Sequence, residues 1–362
     1  MAAASPPLPD VPAARARPWR LVAVALLAAS LLIAGVTAFW YVTGTGPFSR
    51  VEPSTWAFTM TQVSDLQARG ADGTGVRVCL VDTGVDLTHP DLRHVRLLAW
   101  RDFVHAPPLP DPYDDVGHGT AMAGILFAQG VLHGVAPQAG LIAVKAIAKS
   151  GSGSDGDIAS AITFCLDPNG NGDSADDGAM VISLSLGGAN HPILGSQTTA
   201  AANAAVGRGV FVVAAAGNDG QDDDGDVESP ASEPDVIAVG AVDRSGVIAP
   251  FSSIGSATWQ GFSRTEPNKK PEVVAPGLEI AATWTGGQYA YVSGTSPAAA
   301  FVSGVVALLL QNHPQYRQNP SLFGQFKTEI MDGAMPQAGQ QRPHDPRYGY
   351  GLVQAVATDA LL

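Results

Sequence analysis

Val76-Arg77-Val78-Cys79-Leu80-Val81 is an apolar run interrupted by one arginine and closed by Asp82-Thr83-Gly84. It lacks polar alternation, so it suits a strand covered on both faces rather than one that shows a face to water. Four later runs read the same way: Leu141 to Ile147, Met180 to Leu186, Val210 to Ala216 and Val236 to Val242. Helix candidates lie between them, near Thr120 to Gln129, Asp157 to Leu166 and Thr198 to Arg208. Strand, helix, strand in that order is the pattern of an α/β domain with a parallel sheet. In such domains ligands collect beyond the carboxyl ends of the strands, so the polar residues just after each apolar run are the first candidates for a site.

Composition narrows the functional classes. The chain has 362 residues, 46% apolar and 15% charged, which is a folding composition and not a disordered one. Twenty Lys and Arg against 33 Asp and Glu leave a net charge of −13, which opposes any broad grip on nucleic acid. Cys79 and Cys165 are too few for a disulfide framework, and both are expected to pack as small buried hydrophobes without a bond between them.

The amino-terminal region reads apart from the rest. Residues 1–20 form a Pro/Ala-rich tail holding Arg15, Arg17 and Arg20; Leu21 to Val42 then runs 22 residues without a charge, long enough to span a bilayer. The competing reading is a cleaved secretory signal, for which Val36-Thr37-Ala38 resembles a cleavage site. Phe39, Trp40 and Tyr41 continue the run and suit a membrane interface, which favours an anchor over 21–43. Both readings export the remainder, with the arginine-bearing end left in the cytoplasm. Residues 44–55 are then a linker and 56–362 one catalytic or binding domain, with no repeat inside it.

Three strand-end or loop positions carry chemistry together. Asp82 ends the first run, His118 sits in Gly117-His118-Gly119-Thr120, and Ser296 follows Ser293-Gly294-Thr295 at the head of the apolar helix Pro297 to Leu310. Singly they read as a turn former, a loop histidine and a helix cap. As a set they supply what acyl transfer needs: a hydroxyl, a base to take its proton, and a carboxylate to orient that base. Asn218, in Ala214-Ala215-Ala216-Gly217-Asn218, adds a side-chain amide for an oxyanion, and the Ser296 N–H is a second donor at a helix start.

Val81-Asp82-Thr83-Gly84-Val85, Gly117-His118-Gly119-Thr120, Ala216-Gly217-Asn218 and Gly294-Thr295-Ser296 resemble, in order, the aspartate, histidine, oxyanion-asparagine and serine motifs of the subtilisin-like serine proteases. His89-Pro90-Asp91-Leu92, Gly134-Val135-Ala136-Pro137 and Tyr350-Gly351-Leu352-Val353 support it, and the likeness covers about Trp56 to Ala357. The resemblance implies a three-layer fold, an endopeptidase activity on polypeptides, and no cofactor for catalysis. It also implies a pocket for the side chain preceding the scissile bond, walled by Ser185, Leu186, Gly187 and Gly188 on one side and Ala215, Ala216 and Gly217 on the other. Such backbone-rich walls favour large apolar side chains, and a charge there from Asp219 or Glu228 would favour lysine or arginine.

The chain departs from the family at several points. Pro297 follows the nucleophile where methionine is usual, and Ala300 replaces an expected proline. The stretch from Gly124 to Gly134 is short beside the family's calcium-binding insertion, which weakens the case for a calcium site on Asp91. An extra surface loop is expected near Thr258 to Lys270, and little chain separates the span from the domain, so folding is expected to need no propeptide. Independently, Asp167, Asn169, Asn171 and Asp173 place oxygens at alternate positions with Gly172 sixth, as an EF-hand loop does for structural calcium, although Gly178 stands where the loop's glutamate would be. Two readings of the whole remain: a membrane-tethered endopeptidase, and an inactive relative that binds peptides in the same cleft.

Overall fold

The computed structural model describes residues 51–187, 196–222 and 225–362. The proposed anchor at 21–43 and the pocket residue Gly188 therefore lie outside the described residues. In chain order the strands are β1 (Arg77–Asp82), β2 (Leu97–Asp102), β3 (Gly140–Lys145), β4 (Val181–Leu184), β5 (Phe211–Ala215), β6 (Ile237–Val242), β7 (Thr258–Trp259), β8 (Phe262–Ser263), β9 (Val273–Pro276), β10 (Ile280–Trp284) and β11 (Gln288–Val292). Seven of them form one sheet in the order β2-β3-β1-β4-β5-β6-β9, every neighbouring pair parallel. The five apolar runs are its interior strands, and β3, β4, β5 and β6 are buried along their whole length.

Burial on both faces of a sheet requires a layer on each. The principal helices are α1 (His118–Phe127), α2 (Asp155–Leu166), α3 (Gln197–Val206), α4 (Thr295–Asn312) and α5 (Phe323–Asp332). α1 packs on α4, α2 packs on α3, and each pair rests against the sheet. Among the described residues, α4 is the one helix long and apolar enough to cross a membrane, but 89% of it is buried inside the protein, so it is a core helix. The chain starts the sheet at β1, goes out to β2 and β3, then crosses back to β4 and beyond. Its direction of travel reverses beside β1, which opens a crevice at the carboxyl ends of β1 and β4.

Two expectations need correction. Cys79 and Cys165 are not separate thiols: they form a disulfide joining β1 to α2, with Cα atoms 5.8 Å apart and a sequence separation of 86. Both are fully buried, so packing of α2 across the sheet brings the sulfurs together, a relation invisible to sequence spacing. Closing a loop of that length stabilises by about 4.6 kcal/mol on the chain-entropy account. The insertion at Thr258 to Lys270 is only partly a surface loop. Phe262, at the start of β8, is exposed, yet Arg264 and Lys270 are buried, Lys270 entirely so. Arg264 reaches Ser232 O at 2.9 Å and Asp226 Oδ2 at 2.6 Å, which anchors the loop to the domain.

The packed unit runs from Val51 to Leu362. Val51 is buried, and Ser54 Oγ accepts the Ala281 amide of β10 at 2.9 Å, so packing begins ahead of Trp56.

Candidate active site

Asp82 is the last residue of β1 and 2% exposed. His118 opens α1 instead of preceding it, which aims its imidazole back at the strand tip. His118 Nδ1 lies 2.7 Å from Asp82 Oδ1, which also accepts the Thr83 amide at 2.7 Å. A carboxylate can only accept, so Nδ1 carries the proton and Nε2 is left as the basic nitrogen. This close approach depends on Gly119, where a Cβ would collide with the Gly84 carbonyl and crowd the Asp82 side chain. Burial pulls the His118 pKa down, but the charge and hydrogen bond of Asp82, with Asp114 behind it, outweigh that and hold it above 6.5. About a third of the His118 side chain remains open to solvent.

Ser296 occupies the first turn of α4, where backbone N–H groups have no partner in the helix. Pro297 follows in the same turn, a position whose N–H would go unused, so the departure from the family pattern costs the helix no hydrogen bond. The Ser296 hydroxyl donates to Ser185 O at 3.2 Å, and among the described residues no hydrogen bond joins it to His118. Ser185 Oγ in turn donates to Ser296 O at 3.1 Å, tying the end of β4 to the head of α4. Asn218 follows β5, and its Oδ1 accepts the Thr295 amide at 2.9 Å and the Thr295 hydroxyl at 3.2 Å. Because a backbone N–H fixes which end of the amide is oxygen, the Asn218 NH2 group is the end left for another acceptor.

The structure thus gathers Asp82 with His118, and Ser296 with Asn218, Ser185, Ala216 and Gly217, beyond the carboxyl ends of the interior strands β1, β4 and β5. Three supporting residues escaped the sequence reading. Thr83 donates to Asp114 Oδ1 at 2.9 Å and accepts the Gly119 amide at 2.8 Å. Asp114 takes the Val116, Gly117 and Thr120 amides within 2.9 to 3.0 Å, pinning the start of α1. Thr295 receives the Gly217 amide at 3.1 Å. The signal for Asp114 was present as an acid just ahead of a helix start, which complements the helix dipole.

At both places considered for calcium the side-chain oxygens accept protein donors. Asp91 is buried, and its oxygens accept Val131 N at 3.0 Å, Leu132 N at 2.7 Å and Tyr289 OH at 3.0 Å. Three protein donors thus occupy its oxygens. In the other loop, Asp167 accepts the Asn171 and Gly172 amides at 3.1 and 2.8 Å. The side-chain oxygens of Asn169, Asn171 and Asp173 accept the Asn171, Asp173 and Ala175 amides at 2.9, 2.7 and 2.9 Å. Among the described residues no group of three His, Cys, Asp or Glu is arranged to hold a metal ion.

Comparison with known proteins identifies the family. Residues 73–351 match the family model described as the subtilase family. The chain is 41% identical over 253 residues to a thermophilic serine proteinase of Bacillus sp. (strain AK1), covering 68% of this chain and 55% of that protein. It is 37% identical over 265 residues to M-protease of Shouchella clausii (strain KSM-K16), covering 72% of this chain and 60% of that protein. It is also 37% identical over 306 residues to subtilisin Savinase of Lederbergia lenta, covering 83% of this chain and 97% of that protein. With a parallel-sheet α/β fold and a family match over most of its length, the chain belongs to the subtilase family of serine proteases.

Proposed function

We propose that the protein is a serine endopeptidase in which Asp82, His118 and Ser296 form the catalytic triad and Asn218 the oxyanion donor. The observation that carries the reading is the 2.7 Å bond between His118 Nδ1 and the buried Asp82, with the basic Nε2 free to take a proton. Ser296 Oγ attacks the peptide carbonyl carbon and gives its proton to His118 Nε2. The oxyanion is met by the Asn218 NH2 group and the Ser296 N–H, fixed donors at a helix start. The carbon–nitrogen bond then breaks as His118 protonates the leaving amine, and water repeats the sequence to free the acid and regenerate Ser296. Subtilases need no cofactor for this chemistry. The Ser296–Ser185 hydrogen bond is the ground-state position of the hydroxyl, since catalytic contacts in the free enzyme are commonly loose until substrate binds.

That same hydrogen bond is what favours the alternative, an inactive relative that holds peptides without cutting them. A fluorophosphonate probe with intact-mass readout decides between them: one adduct, abolished together with proteolysis in Ser296→Ala, is the expected result. An unlabelled wild type, or turnover unchanged in Ser296→Ala, contradicts the endopeptidase reading.

Tethering by residues 21–43, with 56–362 outside the cytoplasm, belongs to the same proposal. The length and flanking charges of the apolar run support it, and a buried disulfide suits an oxidising compartment. Its substrates are polypeptides, and the net negative charge argues against nucleic acid. Structural calcium at Asp167, Asn169, Asn171 and Asp173 is supported by residue pattern and opposed by oxygens already spent on amides. If the loop binds calcium, chelation lowers the melting temperature and Asp167→Ala with Asp173→Ala removes the difference; identical curves leave it a polar turn.

A further inference from the structure

The segment from Asn218 to Pro230 is rich in acids, and the described ones part company. Asp219 accepts the hydroxyl of Ser253. Asp226 pairs with Arg264 at 2.6 Å and takes the Val227 and Ser256 amides at 2.8 and 2.9 Å. Asp222 is exposed. Glu228 goes toward the pocket walls: its amide donates to Ala216 O at 2.8 Å, which lays the residue along one wall. From there its side chain crosses Gly217, where an added Cβ would stand 2.7 Å from Cγ and 2.9 Å from Cδ. It ends over the opposite wall, where a Cβ on Gly187 would overlap Oε2 outright. The carboxyl group therefore fills the space that side chains on both wall glycines would take, and Gly187 beneath it is exposed. That wall starts at Ser185, whose carbonyl accepts the Ser296 hydroxyl; the two residues on to Gly187 span about 7 Å if extended, comparable with a stretched lysine or arginine side chain.

We propose that Glu228 is the floor of the pocket for the residue preceding the scissile bond and makes the enzyme selective for lysine and arginine there. The inference rests on the endopeptidase reading of the site and names its substrate class. It departs from the apolar preference expected of bare backbone walls. A guanidinium or ammonium group entering between Gly187 and Gly217 would meet a carboxylate whose hydration the walls already reduce, and the charged hydrogen bond formed there gains accordingly. A phenylalanine or leucine would instead cover that carboxylate without replacing its water, so the same residue discriminates by penalty as well as by attraction.

The test is kcat/KM for peptides identical except for Arg, Lys, Phe or Leu at that residue, measured at low and high salt in wild type, Glu228→Gln and Asp222→Asn. Expected are a preference for Arg and Lys that survives high salt, and a roughly ten- to hundredfold loss on those two substrates in Glu228→Gln. The Phe peptide is expected to be unchanged or improved, and Asp222→Asn to match wild type. A wild-type preference for Phe or Leu, or a Glu228→Gln loss equal on all four peptides, overturns the proposal. Binding of the same peptides to Ser296→Ala reads the pocket without the chemistry. Arg binding over Phe there, with no hydrolysis by wild type, would overturn only the catalytic reading; equal binding overturns the role of Glu228.

Discussion

Two buried carboxylates with basic side chains as partners sit in different regions of this domain. Asp82, at the tip of β1, meets His118, whose side chain keeps about a third of its surface open. Glu272, just ahead of β9, is wholly buried, with Lys270 Nζ and Lys327 Nζ each 2.8 Å from Oε1 and the Ala238 amide 2.8 Å from Oε2. The two lysines extend the network to the carbonyls of Val236 and Pro234. One carboxylate thus holds a base that water and substrate can reach, and the other joins β6, β9 and α5 where nothing can exchange. Burial of an acid alone does not mark a site; access of its partner does.

Ser296→Ala breaks the comparison most severely: proteolysis falls by roughly a millionfold, the size known for removing the triad serine of subtilisin itself, while the melting temperature stays put. Glu272→Gln is its mirror. Two buried ammonium groups lose their counter-charge, so stability falls by about 3–5 kcal/mol, read by denaturant titration. The folded fraction at low temperature keeps its kcat/KM, and a lost rate at full fold would move Glu272 into the site. Asn218→Ala lowers kcat by roughly a hundred- to a thousandfold, the range found for the corresponding donor in subtilisin, with little change in KM.

The smallest effect is in pH. Burial first, against the pull of Glu272, pushes the Lys270 pKa down to about 7 from 10.5. Unfolded chain then holds the proton that the folded state has shed between about pH 7 and 10.5, so this group makes stability rise with pH across that window. His118 acts in the opposite sense: its raised pKa contributes stability below 6.5 that is lost as pH climbs through the folded value. Melting temperatures measured from about pH 7 to 10.5 should therefore lose their alkaline rise in Lys270→Met. An equal rise in the variant would remove Lys270 as its cause.

This contrast also explains what could be read from residues alone. The runs at β1, β3, β4, β5 and β6 were legible because strands covered on both faces are apolar throughout; Asp82 and Asn218 were candidates because they close or follow such runs, whereas His118 and Ser296 stand at helix starts and were marked by their motifs. β2 was missed, since its residues are half-buried at a sheet edge and mix Arg101 and Asp102 with Leu97 and Trp100. Nothing in the sequence signals that Lys270, Glu272 and Lys327 form a buried cluster, because only the fold brings position 327 to position 270. The Cys79–Cys165 bond was hidden by the same fact. Glu228 and Asp219 were equal candidates for a pocket charge in the sequence; the two glycines facing Glu228, and the Ser253 hydroxyl on Asp219, separate them.

The central claim is that Asp82 tunes His118 to activate Ser296, and the rate of fluorophosphonate inactivation against pH measures that claim. The account predicts a single adduct on Ser296 and a rate that rises with pH through an inflection above 6.5, as His118 sheds its proton. In Asp82→Asn the inflection moves to lower pH and the rate falls, because the charge that raises the pKa and holds the tautomer is gone. An adduct elsewhere, or an inflection unmoved in Asp82→Asn, would contradict it.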